Sequence, residues 1–112
     1  MERKVNKLVR DNIPQRIKAG GRIPITRQLD EGRFHIEAKK KLVEESQEVL
    51  ASKSRDDLVE ELADVLEVVS AIAGSIGITQ TEIEEARKKK SVENGAFEKR
   101  IFLESIRVDT DI

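Results

Sequence analysis

The sequence contains no cysteine, no tryptophan and no tyrosine, and only three phenylalanines in 112 residues. Without cysteine there is no disulfide frame, no thiolate metal site and no cysteine nucleophile. Without Trp or Tyr, and with 21 basic residues against 22 acidic ones, the chain lacks the stacking aromatics and positive field of a nucleic-acid binder. No apolar run approaches the roughly 18 residues of a membrane span. The opening "MERKVNKLVRDNIP" also lacks the apolar centre of a secretion signal. The expectation is a soluble, cytoplasmic protein that touches neither membrane nor nucleic acid. Apolar material is scarce too, at 38% of residues. A chain of this size, read as one domain over residues 1–112, buries roughly 60–68% of its unfolded surface. Oligomerisation is then a natural way to bury more.

What the sequence does have is helical periodicity. "NKLVRDNIPQRIKAGG" reads as a short helix with Asp11 or Asn12 as cap, Pro14 in the first turn and Gly20-Gly21 as its end. "RIPITRQL", interrupted by Pro24, reads as an extended edge segment. A helix is expected from about Asp30 to Ala51, with Phe34, Ala38, Leu42, Val49 and Leu50 on one side. Ser54, with Asp57 three residues on, marks the next helix start. That helix runs from about Arg55 to Ile76 on a stripe of Leu58, Leu62, Val65, Val69, Ile72 and Ile76. A fourth, about Gln80 to Asn94, is capped by Thr79 or Thr81 and ends at Gly95. "ARKKK" at 86–90 is placed at its C-terminal end, complementing the helix dipole. "AFEKRIFLESIRV" reads as a terminal strand or an extended tail. The expected fold is all-α, with two long antiparallel helices forming most of the core.

The acids on those two helices stand where solvent-facing acids normally do not. With each residue about 100° further round, Glu45 falls within about 40° of Phe34, Ala38 and Val49. Glu48 lies about 60° off on the Lys41 side. On the next helix Glu61 falls within about 40° of Ile72 and Val65, and Val68 sits between Glu61 and Asp64. Glu60 and Glu67 point away and read as solvated charges. Pairing with Lys39, Lys40 and Lys41 at helical spacing would explain one acidic pair alone. Two pairs, each bordering an apolar stripe on consecutive helices, would bring four carboxylates together if the helices pack antiparallel. Such crowding raises each group's proton affinity, and a bound cation relieves it. Oxygen-only donors select a hard ion, Mg²⁺ or Mn²⁺ over zinc, which commonly takes substrate phosphate oxygens as further ligands.

"EESQE" followed after twelve residues by "ELAD" is the pattern E-E-x-x-E, then E-x-x-D. It resembles the signature of the MazG-type nucleoside triphosphate pyrophosphohydrolases, an all-α family that includes phosphoribosyl-ATP pyrophosphohydrolase and dimeric dUTPases. "NKLVRDNIP" and "NGAFEKRIFLE" look like the terminal blocks of a small MazG-like, phosphoribosyl-ATP pyrophosphohydrolase-like subgroup. The resemblance spans about residues 5 to 105. It implies homodimers or homotetramers built on a four-helix core. It also implies Mg²⁺-dependent hydrolysis of the α–β phosphoanhydride of a nucleoside triphosphate, or a related nucleotide such as phosphoribosyl-ATP, to monophosphate and pyrophosphate. Carried over position by position, Glu45, Glu48, Glu61 and Asp64 match the metal ligands, and Glu44 completes the first motif. One departure is Asn12, where a basic residue often precedes the Ile-Pro, which puts one phosphate contact in question.

For the base that activates water, Glu45 is the first candidate because its apolar neighbours desolvate it most; Glu48 is the second. Lys7 and Arg10 in the first block, and Lys99 and Arg100 after the Gly95 turn, are the expected phosphate contacts. His35, Phe97 and Phe102 read as packing or surface residues and stay outside the site. The different-class alternative is a non-catalytic helical module for oligomerisation or partner binding, carried by the long stripes and the "RKKK" run.

Overall fold

The computed structural model describes residues 1–108. Among them are four helices and no strand: α1 (Ile13–Ala19), α2 (Glu31–Ala51), α3 (Arg55–Ser75) and α4 (Gln80–Asn94). Contacts group the chain into two compact units, Met1–Gln80 with α1 to α3 and a second beginning at Thr81 with α4.

The helix ends follow from local chemistry. The Asp30 carboxylate accepts the Arg33 amide at 2.7 Å, and the Ser54 hydroxyl accepts the Asp57 amide at 3.1 Å. Each satisfies an amide that the first helical turn leaves without an internal partner. Asn12 occupies the cap position of α1, but its side chain makes no capping hydrogen bond. Two residues past the end of α3 stands Gly77, whose φ of 73° is a conformation side chains resist. There the Ile78 amide reaches back to the Ala73 carbonyl at 2.9 Å, closing the terminal turn.

α2 and α3 pack on each other, joined by the three residues Ser52 to Ser54. At the far end His35 Nδ1 lies 2.7 Å from Ser75 Oγ, tying the start of α2 to the end of α3. A short connector at one end and a bond at the other make the pair antiparallel. Ser75 Oγ donates its one proton to the Ile72 carbonyl at 2.6 Å, so it accepts from His35, which therefore carries its proton on Nδ1. Next to this bond lie the two buried residues among those described, Ala38 and Ala73, one on each helix. Small side chains there let the backbones come close.

The rest of the stripe is less covered than periodicity suggests. Phe34, Leu42, Val49, Val65, Val69 and Ile72 are half-buried. Leu50, Leu58, Leu62 and Ile76 stay exposed, Leu50 at 88%. Two helices cover each other along one line only, so side chains at the stripe edges find no partner within the chain. Three further expectations meet the structure as follows. Residues 22–30 and 101–108 pair with no strand, so the edge segment belongs to no sheet and, of strand or tail at the C-terminal end, the strand does not form among the described residues. The basic run of α4 sits before its last turn, which holds no basic residue, so it lies beyond the reach of the dipole end.

Candidate metal centre

Ten residues in from the His35–Ser75 bond, along both helices, the antiparallel register sets Glu45 level with Val65. That brings Glu45 on α2 beside Glu61 and Asp64 one turn apart on α3. One carboxylate oxygen from each of the three lies within 4.8 Å of the others. Glu48 is outside this trio and exposed, yet close enough for its charge to act on Glu61. Glu60 and Glu67 face solvent.

The electrostatics of the trio are uneven. Partial burial, then the charges of Glu48, Asp64 and Glu45, push the Glu61 carboxyl above its ordinary value. Arg10 Nη2 donates to Asp64 Oδ1 at 2.7 Å. Lys41 Nζ stands 3.5 Å from Glu45 Oε1 and 3.3 Å from Glu44 Oε1. Lys7 Nζ reaches the same Glu44 oxygen at 3.2 Å. Burial alone would raise the Glu44 carboxyl, but the Lys7 hydrogen bond and the Lys41 ammonium outweigh it and hold it below its ordinary value. Glu61 therefore sits among four other acids, Glu48, Asp64, Glu45 and Asp57, and no cation pairs with it among the described residues.

Such a set fits a hard divalent ion. All donors are carboxylate oxygens, three converge, and the acid at the centre has no positive partner of its own. Glu45, with only 13% of its side chain exposed, sits at the inner edge of the group.

The other residues singled out from the sequence divide by place. Lys7 and Arg10 lie against the motif acids, Lys7 on α2 and Arg10 on α3. Lys99 and Arg100 belong to the second unit, where Arg100 takes a φ of 54° and its amide donates to the Phe97 carbonyl at 3.1 Å. His35 is held by Ser75 at the far end of the helix pair from the connector. Lys41, offered by the sequence as an ion-pair partner at helical spacing, takes that role with Glu44 and Glu45, three and four residues on.

No single helix among the described residues is long and apolar enough to cross a membrane. No curated protein and no solved structure matches the chain. A family model for phosphoribosyl-ATP pyrophosphohydrolase matches residues 11–91, taking in α1 to α3, most of α4 and all five motif acids. That is nearly three quarters of the sequence, and with the all-helical fold it means that the chain belongs to the phosphoribosyl-ATP pyrophosphohydrolase family, hydrolases that act on a phosphoanhydride bond of a nucleotide.

Proposed function

We propose that residues 1–112 act as one cytoplasmic domain that hydrolyses the α–β phosphoanhydride of a nucleoside triphosphate, or of phosphoribosyl-ATP, with Mg²⁺ or Mn²⁺. The observation that carries this reading is the unpaired Glu61 among Glu45, Asp64 and Glu48. Glu45, Glu61 and Asp64 would hold the ion, with Glu48 at its margin. When bound, such an ion neutralises phosphate charge and makes water more acidic.

The chain's own groups do the rest. Glu48, left outside the trio, is the better placed of the two candidate bases; Glu45 belongs to the ligand set. Its carboxylate takes the proton of the water that attacks the α-phosphorus, the α–β bond breaks and pyrophosphate leaves. Glu44 acts in support by anchoring Lys7 and Lys41 beside the acids. Lys7 and Arg10 supply charge-assisted hydrogen bonds to the phosphates, joined in this reading by Lys99 and Arg100.

Assembly into a homodimer or homotetramer completes the core. Ile36, Val43 and Leu50 recur every seven residues on α2 and are exposed, as are Val59, Leu62 and Leu66 on α3. A second α2–α3 pair laid on these faces makes a four-helix core. The test is pyrophosphate release from a panel of ribo- and deoxynucleoside triphosphates and phosphoribosyl-ATP, with Mg²⁺ and with EDTA. Metal-dependent release from at least one substrate is expected; none from any would refute the reading.

A further inference from the structure

Lys7 and Arg10 are expected to meet phosphates, yet both are engaged with motif acids. They tie the N-terminal segment to both helices at once, across 37 and 54 residues of sequence. The Arg10 partner is Asp64, itself one of the three converging carboxylates. We propose that Arg10 is a metal-released phosphate ligand: it holds Asp64 until a divalent ion takes that carboxylate, and is then free to bind the substrate's phosphates. The inference rests on the metal-centre reading above.

Charge decides the exchange. A dication among three carboxylates cuts their summed charge from −3 to −1 and sets a positive centre beside the guanidinium, so the pull on Arg10 weakens. The Arg10–Asp64 pair is weak enough to yield, because 57% of the Arg10 side chain and 38% of the Asp64 side chain are exposed. Exposed pairs of this kind bias an equilibrium by no more than about fivefold. Around it the segment is lightly held. Asn6, Lys7 and Leu8 stand off α2 over a cavity of about 90 Å³ that Lys40, Lys41 and Glu44 line from the other side.

The Arg10 main chain, in contrast, is fixed. Its carbonyl accepts the Ile13 amide at 3.1 Å where α1 begins. Release therefore swings the side chain while its root stays beside the acids. A guanidinium freed there can fork onto two phosphate oxygens. Metal then binds before nucleotide, and each strengthens the other.

Trypsin reads this directly, since it must take the Arg10 side chain into its own pocket to cut after it. Arg27, exposed and in an irregular segment, is the internal reference. Mg²⁺ binding to the intact protein is measured first by calorimetry, without nucleotide. Saturating Mg²⁺ should then speed cleavage after Arg10 at least threefold relative to Arg27. Arg10→Gln should bind Mg²⁺ up to about fivefold more tightly, and Arg3→Gln should bind it as the unaltered chain does. Mg²⁺ that binds while the cleavage ratio stays unchanged overturns the proposal, as does an Arg10→Gln variant that binds no tighter. Absence of any Mg²⁺ binding overturns the metal-centre reading itself and the inference with it.

Discussion

Replacing Ala38 by leucine tests how the helix pair sets the metal centre. Ala38 has no exposed surface, and Ala73 opposite it keeps only 5%. Ala38 is already wholly covered, so the isopropyl group that leucine adds on Cβ forces α2 and α3 to part. Overpacking of this kind costs about 1–3 kcal/mol. A midpoint cost of about 2 kcal/mol lowers the melting temperature of a domain of this size by roughly 10 °C. The parting propagates along the helices, because Glu45 lies two turns from Ala38 on the same rigid element. Oxygens now within 4.8 Å of one another would separate, and metal affinity should fall together with stability. Melting by circular dichroism and Mg²⁺ titration by calorimetry on the same variant read both effects. A melting temperature within about 2 °C of the parent would refute the close approach at Ala38. Lost stability with unchanged metal affinity would refute the coupling of helix spacing to the acids.

Mg²⁺ at one hundred times its dissociation constant should stabilise the protein by about 2.7 kcal/mol, and Asp64→Asn should lose most of that gain in a thermal melt. The pH dependence of the metal-free fold has two opposed parts. The Glu44 carboxyl is held below its ordinary 4.5, so its stabilisation is present above pH 4.5 and lost as pH falls through the lowered folded value; Glu44→Gln should remove that loss from denaturation curves. The Glu61 carboxyl is raised above 4.5, so metal-free stability declines as pH rises from there through the folded value. Glu61→Gln in EDTA should flatten that decline. Leu66, 69% exposed within one chain, costs almost nothing to truncate in a monomer. In a four-helix assembly Leu66→Ala should cost about 2 kcal/mol or more and shift the sedimenting species toward monomer.

Much of the helical frame was legible because its punctuation is chemical and local. Asp30, Ser54 and the glycines at 77 and 95 each do at a helix end what their side chain, or its absence, allows. The level of Glu45 against Glu61 and Asp64 was legible for the same kind of reason, since rotation per residue and antiparallel packing are enough to bring them together. Exposure was not. Leu50, Leu62 and Ile76 obey the periodicity of a buried stripe, but periodicity records that a face is meant to be covered and not by which surface. The Arg10–Asp64 contact was illegible too, because nothing periodic joins a residue in an irregular segment to one 54 positions away. Glu48 shows the limit of helical geometry on its own: one turn from Glu45 proved far enough to leave it outside the trio.

The central claim is that Glu45, Glu61 and Asp64 hold the ion on which hydrolysis depends. Glu61→Ala addresses it most directly, because Glu61 has four acidic neighbours and no cation partner among the described residues. The measurement is pyrophosphate release by Glu61→Ala beside the unaltered protein, at saturating Mg²⁺ and on the best substrate of the panel. Circular dichroism confirms that the variant is folded. Loss of release in a folded variant is the predicted result; release at the full rate would contradict the claim.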